Sequence, residues 1–170
     1  AYDITKFLID KGHRQIGIFS DNDHNALVAR EREEGFKKAL REEGLDLPRE
    51  WEKMGDTNIL GGYKMMEELL KEEKRPTAIV TINDEIALGA MRKAGEEGIN
   101  IPKDMSICGF NNYNISKWVR PSITTVAQPM YDIGAICARM LIKMINKEKL
   151  VSKHIVVDHE IIERETTSSI

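Results

Sequence analysis

The chain is poor in the residues that announce specialised chemistry. Among 170 residues there are two cysteines, Cys108 and Cys137, without the spacing of a metal site or of a disulfide framework. Two such thiols are expected to be buried and reduced. Net charge is only -3, and no basic arm or lysine-rich helix is present, so the chain by itself lacks the electrostatic grip that phosphate backbones require. No apolar run is long enough to span a bilayer and no secretion signal is seen; the lone thiols point to a reducing compartment, and the cytoplasm is the expected one. The four histidines (His13, His24, His154, His159) are scattered. HExxH, GxSxG and GxxxxGK[ST] arrangements are all missing. Without a nucleophile, base and orienter in a set, no enzyme is expected, and no metal or cofactor.

What is present is an ordinary globular composition, 41% apolar and 31% charged, enough for one core or for one lobe of something larger. The pattern alternates. Residues 2–11 read as a helix stopped by Gly12, Gln15 to Ser20 as a short strand, and 26–43 as a long amphipathic helix. A weak strand over Trp51 to Met54 precedes a helix that Asn58 can cap, with Tyr63, Met66, Leu69 and Leu70 apolar. A loop (113–122), a strand (123–126), a helix (130–146) and a last strand over about 154–162 close the chain. Strands alternating with long helices predict α/β layering around a mostly parallel sheet, with Ile18, Ile79, Val80, Ile107 and Val126 in its core. The chain opens directly on a helical pattern without an initiator Met, and it is expected to be a piece of a longer protein.

The most informative stretch is PTAIVTINDEIALGAMRKAGEEGINIPKDMSICGFNN, Pro76 to Asn112. Two apolar runs each stop at a polar pair, Asn83-Asp84 and Asn111-Asn112, with a helix between them. In a parallel strand–helix–strand unit both tips point into the same crevice. Either residue of Asn83-Asp84 can cap the following helix; the preferred division is Asp84 as cap and Asn83 toward a ligand. Arg30 and Arg32 alternate in AREREEGF, so at most one enters the crevice, where a guanidinium fork would take a diol or a carboxylate. Asp21 and Asp23 are better suited to turn and capping roles than to catalysis.

Taken together, KFLIDKGHRQIGIFS, AREREEGFKKAL, the Pro76–Asn112 stretch, RPSITTVAQP and HEIIERETT closely resemble the C-terminal half of the effector-binding core of LacI/GalR-family transcriptional regulators. The resemblance covers nearly the whole chain. It implies a periplasmic-binding-protein-like α/β fold of two lobes with a sugar or purine between them, and no DNA-binding domain in these residues. Residues 12–126 and 154–165 would form the C-terminal lobe, and 1–11 and 129–146 crossover helices toward the other lobe. It implies effector binding by Arg32, Asn83, Asp84, Asn111 and Gln128. Asn111 departs from the family's acidic residue, keeping an acceptor but dropping the charge. A small-molecule effector, most simply a sugar, and a homodimer are the implied partners, with operator DNA reached only through the missing domain. Met65, Met66, Leu88, Met91 and Trp118 are the expected dimer contacts, since methionine and an isolated loop tryptophan suit an interface. A lobe of a sugar-binding transport protein shares the fold and is the alternative.

Overall fold

The computed structural model describes residues 1–23 and 26–170. His24 and Asn25, assigned above to a polar loop, lie outside the described residues. The elements are α1 (Tyr2–Asp10), β1 (Ile16–Asp21), α2 (Leu27–Glu42), β2 (Glu52–Gly55), α3 (Ile59–Leu69), β3 (Ala78–Thr81), α4 (Asp84–Glu96), β4 (Ser106–Phe110), α5 (Ile115–Trp118), β5 (Thr124–Ala127), α6 (Met130–Ile145) and β6 (Glu160–Ile162).

The strands form one sheet in the order β2-β1-β3-β4-β5-β6. The first five are parallel and β6 joins β5 antiparallel, pairing Ile161 with Val126. Strand alternation divides the core into two layers. Ile16, Ile18, Val80, Cys108 and Val126 pack with Ile4, Leu8, Phe36 and Leu40 of α1 and α2. Phe19, Ile79 and Ile107 face the other way, onto Met65, Met66, Leu69, Ile86 and Ala90 of α3 and α4. The five residues expected in the core are all buried. Each such side chain contributes about 1.5–3 kcal/mol by leaving water, which is why a sheet covered on both faces reads as continuous apolar runs.

Several expectations need correction. Met65 and Met66 are fully buried under the sheet, so these two cannot be contacts offered by the free surface of the chain; Met91, nearly buried, lines a groove beside Leu88. The reason lies in how closely α3 and α4 approach: a Cβ on Gly89 would stand 1.9 Å from the Ile59 carbonyl oxygen. Backbone contact at that point turns the methionines inward. Helix α1 lies on α2 and buries Ile4 and Leu8 in the same core. The last strand is three residues long instead of nine, and Cys137 is exposed on α6, none of whose 16 residues is buried. A four-residue helix, α5, interrupts the predicted 113–122 loop.

The C-terminal residues are tied back to the start of the sheet. Buried His13 donates from Nε2 to the Ser168 carbonyl (3.1 Å), with Nδ1 2.9 Å from Thr77 Oγ1, and Ile170 N–H donates to the Lys11 carbonyl. Burial lowers the His13 pKa from its ordinary 6.5, an effect partly opposed by the Ser168 carbonyl. The unfolded chain then takes up this proton first as pH falls. His13 therefore contributes fully above about pH 6.5 and progressively less as pH drops toward its lower folded value. Thermal unfolding between pH 7 and pH 5 should lose stability on acidification, and His13→Asn should flatten that slope; equal slopes in the two proteins would refute the assignment.

Candidate functional site

Strand order reverses between β1 and β3, and in open α/β sheets such a switch point opens a crevice beyond the strand C-termini. Arg32, one turn into the helix that follows β1, spans it. Its Nη1 donates to the carbonyl of Ile82, just past β3. Its Nη2 donates to Asn111 Oδ1 (3.1 Å), just past β4, and to Gln128 Oε1 (3.5 Å), just past β5. The guanidinium lies over the Phe110 ring, 3.8 Å from Cζ to centroid, a cation–π contact that fixes its plane. One side chain thus reads the ends of three strands. Burial lowers the Arg32 pKa, opposed by the fields of Tyr113 and Asp84. Arg30, its neighbour two residues back, points to solvent.

The two residues of the Asn83-Asp84 pair exchange the roles expected of them. Asn83 is the helix cap: its Oδ1 accepts from Ile86 N–H (2.8 Å), while its Nδ2 donates to the Thr57 carbonyl (3.0 Å). Both ends of the amide are engaged. Asp84 has no exposed surface. Its Oδ2 accepts from Tyr113 N–H (2.6 Å) and its Oδ1 from the Thr125 hydroxyl (2.6 Å). It therefore supports the crevice from behind and does not line it. Burial raises its pKa, while the Thr125 and Tyr113 bonds and the field of Arg164 work the other way. Space for this carboxylate exists only because residue 109 is glycine: a Cβ there would fall 2.2 Å from Asp84 Oδ1.

What Asp84 supports is an unusual turn. Asn111 and Asn112 both have positive φ, 100° and 54°. Asn tolerates this region better than most residues, but holding two in succession needs outside bonds. Asn112 N–H donates to Thr125 Oγ1 (3.3 Å), and Asn112 Oδ1 accepts from Arg164 Nη2 (2.6 Å). Arg164 Nη1 also donates to Ser116 Oγ (3.0 Å) and the Ile123 carbonyl (2.7 Å). Burial lowers the Arg164 pKa, with Asp84 opposing. The chain Arg164–Asn112–Thr125–Asp84–Tyr113 aims Asn111 at Arg32. Thr125, Ser116 and Arg164 were not among the expected site residues, although Thr125 lies in RPSITTVAQP and Arg164 in HEIIERETT; Ser116 carried no signal. Asp21 takes the turn role expected of it, its Oδ1 accepting from Asp23 N–H (2.9 Å).

With this geometry in view, comparison with known proteins is decisive. The model of a periplasmic binding protein-like domain matches residues 5–167. The chain belongs to that family. Within it the relatives are LacI-family regulators. Catabolite control protein A of Priestia megaterium is 40% identical over 167 residues, covering 98% of this chain and 50% of that protein. The transcriptional repressor PurR of Pasteurella multocida is 35% identical over 169 residues, covering 99% and 50%. The crystal structure of a LacI-family regulatory protein from Chloroflexus aggregans superimposes with a TM-score of 0.92 at 29% identity, covering 99% of this chain and 60% of that one. The periplasmic-binding-protein-like chain therefore spans about half the length of the curated relatives it matches. These relatives are transcriptional regulators and not enzymes. Among the described residues, no helix is long and apolar enough to cross a membrane.

The buried carboxylate makes a direct prediction. Gly109→Ala should force Asp84 aside, and Asp84→Asn should replace an acceptor by a donor facing Tyr113 N–H or Thr125. Each should cost about 1–3 kcal/mol in denaturant unfolding and release amide protection at residues 111–113. Unchanged protection there in both variants would show that Asp84 does not hold the turn.

Proposed function

We propose that this chain is the C-terminal-lobe part of a LacI-type regulator's effector-binding core, sensing a small molecule that controls operator binding by a DNA-binding domain outside these residues. The observation that carries this reading is Arg32 joined to Ile82, Asn111 and Gln128 across three strand ends. A guanidinium and two amides, partly exposed at a strand-end crevice, offer paired donors and acceptors suited to a hydroxyl-bearing ligand such as a sugar. In this reading Arg32, Asn111 and Gln128 touch the effector. Asn83 presents the edge of the site and Asp84 acts through the turn. The C-terminal edge of the sheet and α6, which carries exposed Met130, Tyr131, Leu141 and Ile145, would face the second lobe. Regulators with repressor names among the relatives favour repression as the output.

The same reading makes the protein a homodimer through the outer side of α4. Half-buried Leu88 lines a groove of about 620 Å³ with Ile99, Ile101 and Val119, and Trp118 beside it is 79% exposed. An apolar groove flanked by an exposed tryptophan is a natural self-complementary contact about a two-fold axis. The interface is thus carried by Leu88, Met91 and Trp118, while Met65 and Met66 support it from the core.

Two experiments test these statements. In the complete gene product, Arg32→Ala should weaken effector response about tenfold or more while the protein still folds, because a charged hydrogen-bond partner is lost from a polar site. Unchanged effector affinity would make Arg32 a structural residue only. Sedimentation of Leu88→Glu and of Trp118→Ser should give monomers; two variants that sediment like the parent would place the interface elsewhere.

A further inference from the structure

Arg164 joins two parts of the lobe that have no other side chain in common. It follows β6, and its backbone is anchored to β5 and the loop before it. Arg164 N–H donates to Thr124 Oγ1 (2.9 Å), and the amides of Glu165 and Thr166 both donate to the Ser122 carbonyl (3.0 and 3.1 Å). From that fixed base the guanidinium opens in two directions. Nη2 donates to Asn112 Oδ1 (2.6 Å), behind the turn that brings Asn111 to Arg32. Nη1 donates to the Ile123 carbonyl (2.7 Å) and to Ser116 Oγ (3.0 Å). Ser116 is the buried residue of α5, and exposed Trp118 ends the same turn of helix.

Helix α5 is a single turn whose Ile115, Lys117 and Trp118 side chains are exposed, so Ser116 is its handle. The Ser116 hydroxyl donates to the Tyr113 carbonyl (2.7 Å), and the Ser116 carbonyl accepts from Ile123 N–H (2.8 Å). A guanidinium is planar, with donors fixed relative to one another, so acceptors on its two sides do not move independently. No carboxylate is bonded to it. Glu163 pairs with Lys11, Glu165 accepts from Ser122 N–H, and Asp84 is bonded to Tyr113 and Thr125. With neutral acceptors alone around it, the Arg164 head follows whichever of them is displaced. The turn on its crevice side is the part most ready to move, since Asn111 and Asn112 hold positive φ through bonds of this kind.

We propose that Arg164 is a positioning residue that couples the strand-end crevice to the outer face of α5. A change in how Asn111 meets Arg32 turns Asn112, and through the guanidinium and Ser116 it reorients Trp118. This rests on the readings of the crevice as effector site and of the Trp118 face as dimer contact. It supplies the physical connection that coupling between two such places requires, inside one lobe. Trp51 has no part in it. That side chain is buried at the opposite edge of the sheet, before β2, with its indole N–H on the Lys74 carbonyl (3.0 Å).

The test needs no ligand. The complete gene product is labelled with 5-fluorotryptophan, and the fluorine signals are assigned with Trp118→Phe and Trp51→Phe. Asn111→Asp keeps the shape of the side chain and exchanges its hydrogen bond to Arg32 for an ion pair. It should move the Trp118 signal and leave that of Trp51 in place. In an Arg164→Lys background, where a single ammonium replaces the two-sided fork, the same substitution should move the Trp118 signal at least about twofold less. Asn112→Gly suits a φ of 54° and removes only the Nη2 acceptor; it should uncouple the two places in the same way, and it carries the test alone where Arg164→Lys does not fold. An unmoved Trp118 signal in Asn111→Asp, or a Trp51 signal that moves as far, overturns the coupling. So does a Trp118 displacement of unchanged size in the backgrounds that fold, which would leave Arg164 a structural residue only. Effector titration of Arg32→Ala and sedimentation of Trp118→Ser test the two underlying readings separately, so a failure there is told apart from a failure of the coupling.

Discussion

A buried carboxylate bonded to its neighbours on both sides is the constraint on which the rest of the crevice depends. Asp84 begins a helix, yet its oxygens are spent on a loop after β4 and on a hydroxyl in β5. An ionisable group with no exposed surface is tolerated only when its lone pairs are satisfied, so it holds its donors as firmly as they hold it. The consequence is mechanical. The positive-φ turn at Asn111 and Asn112 is pinned between Asp84, Thr125 and Arg164, and Asn111 is delivered to Arg32. The groups that meet in the crevice can be few because their supports are many.

The fold supplies the other half of the arrangement. A parallel sheet covered on both faces puts every strand end on the same side, and the reversal between β1 and β3 leaves room there for one long side chain. Arg32 fills that room from α2. The region beyond has no comparable cover. Helix α6 leaves the sheet with none of its residues buried, although its sequence is apolar along most of its length. A helix of that composition is stable only against a partner surface.

Strands β1, β3, β4 and β5 were legible in the sequence because each is an apolar run ended by polar or turn-forming residues, and the Asn58 cap was legible because its spacing to the helix is local. The Asn58 side chain does accept from Gly61 N–H. The roles within Asn83-Asp84 were not legible, since both residue types cap helices equally well. What separates them is the space left by Gly109 and the hydroxyl of Thr125, which lie far along the chain. The placement of Met65 and Met66 failed for a similar reason: a helix rich in apolar residues on two sides does not say which side meets the sheet, and the close approach at Gly89 decides it. The final strand was read three times too long because apolar residues such as Val156 lie exposed without a pairing partner. The family likeness located Arg32, Asn111 and Gln128, but their mutual bonds come only from the packing of three strands.

The most direct measurement is a crystal structure of the complete gene product with its effector bound. The account predicts ligand atoms within hydrogen-bond distance of Arg32, Asn111 and Gln128, with Asp84 still bonded to Tyr113 and Thr125 and out of contact with the ligand. A ligand bound away from Arg32, or one held directly by the Asp84 carboxylate, would contradict it.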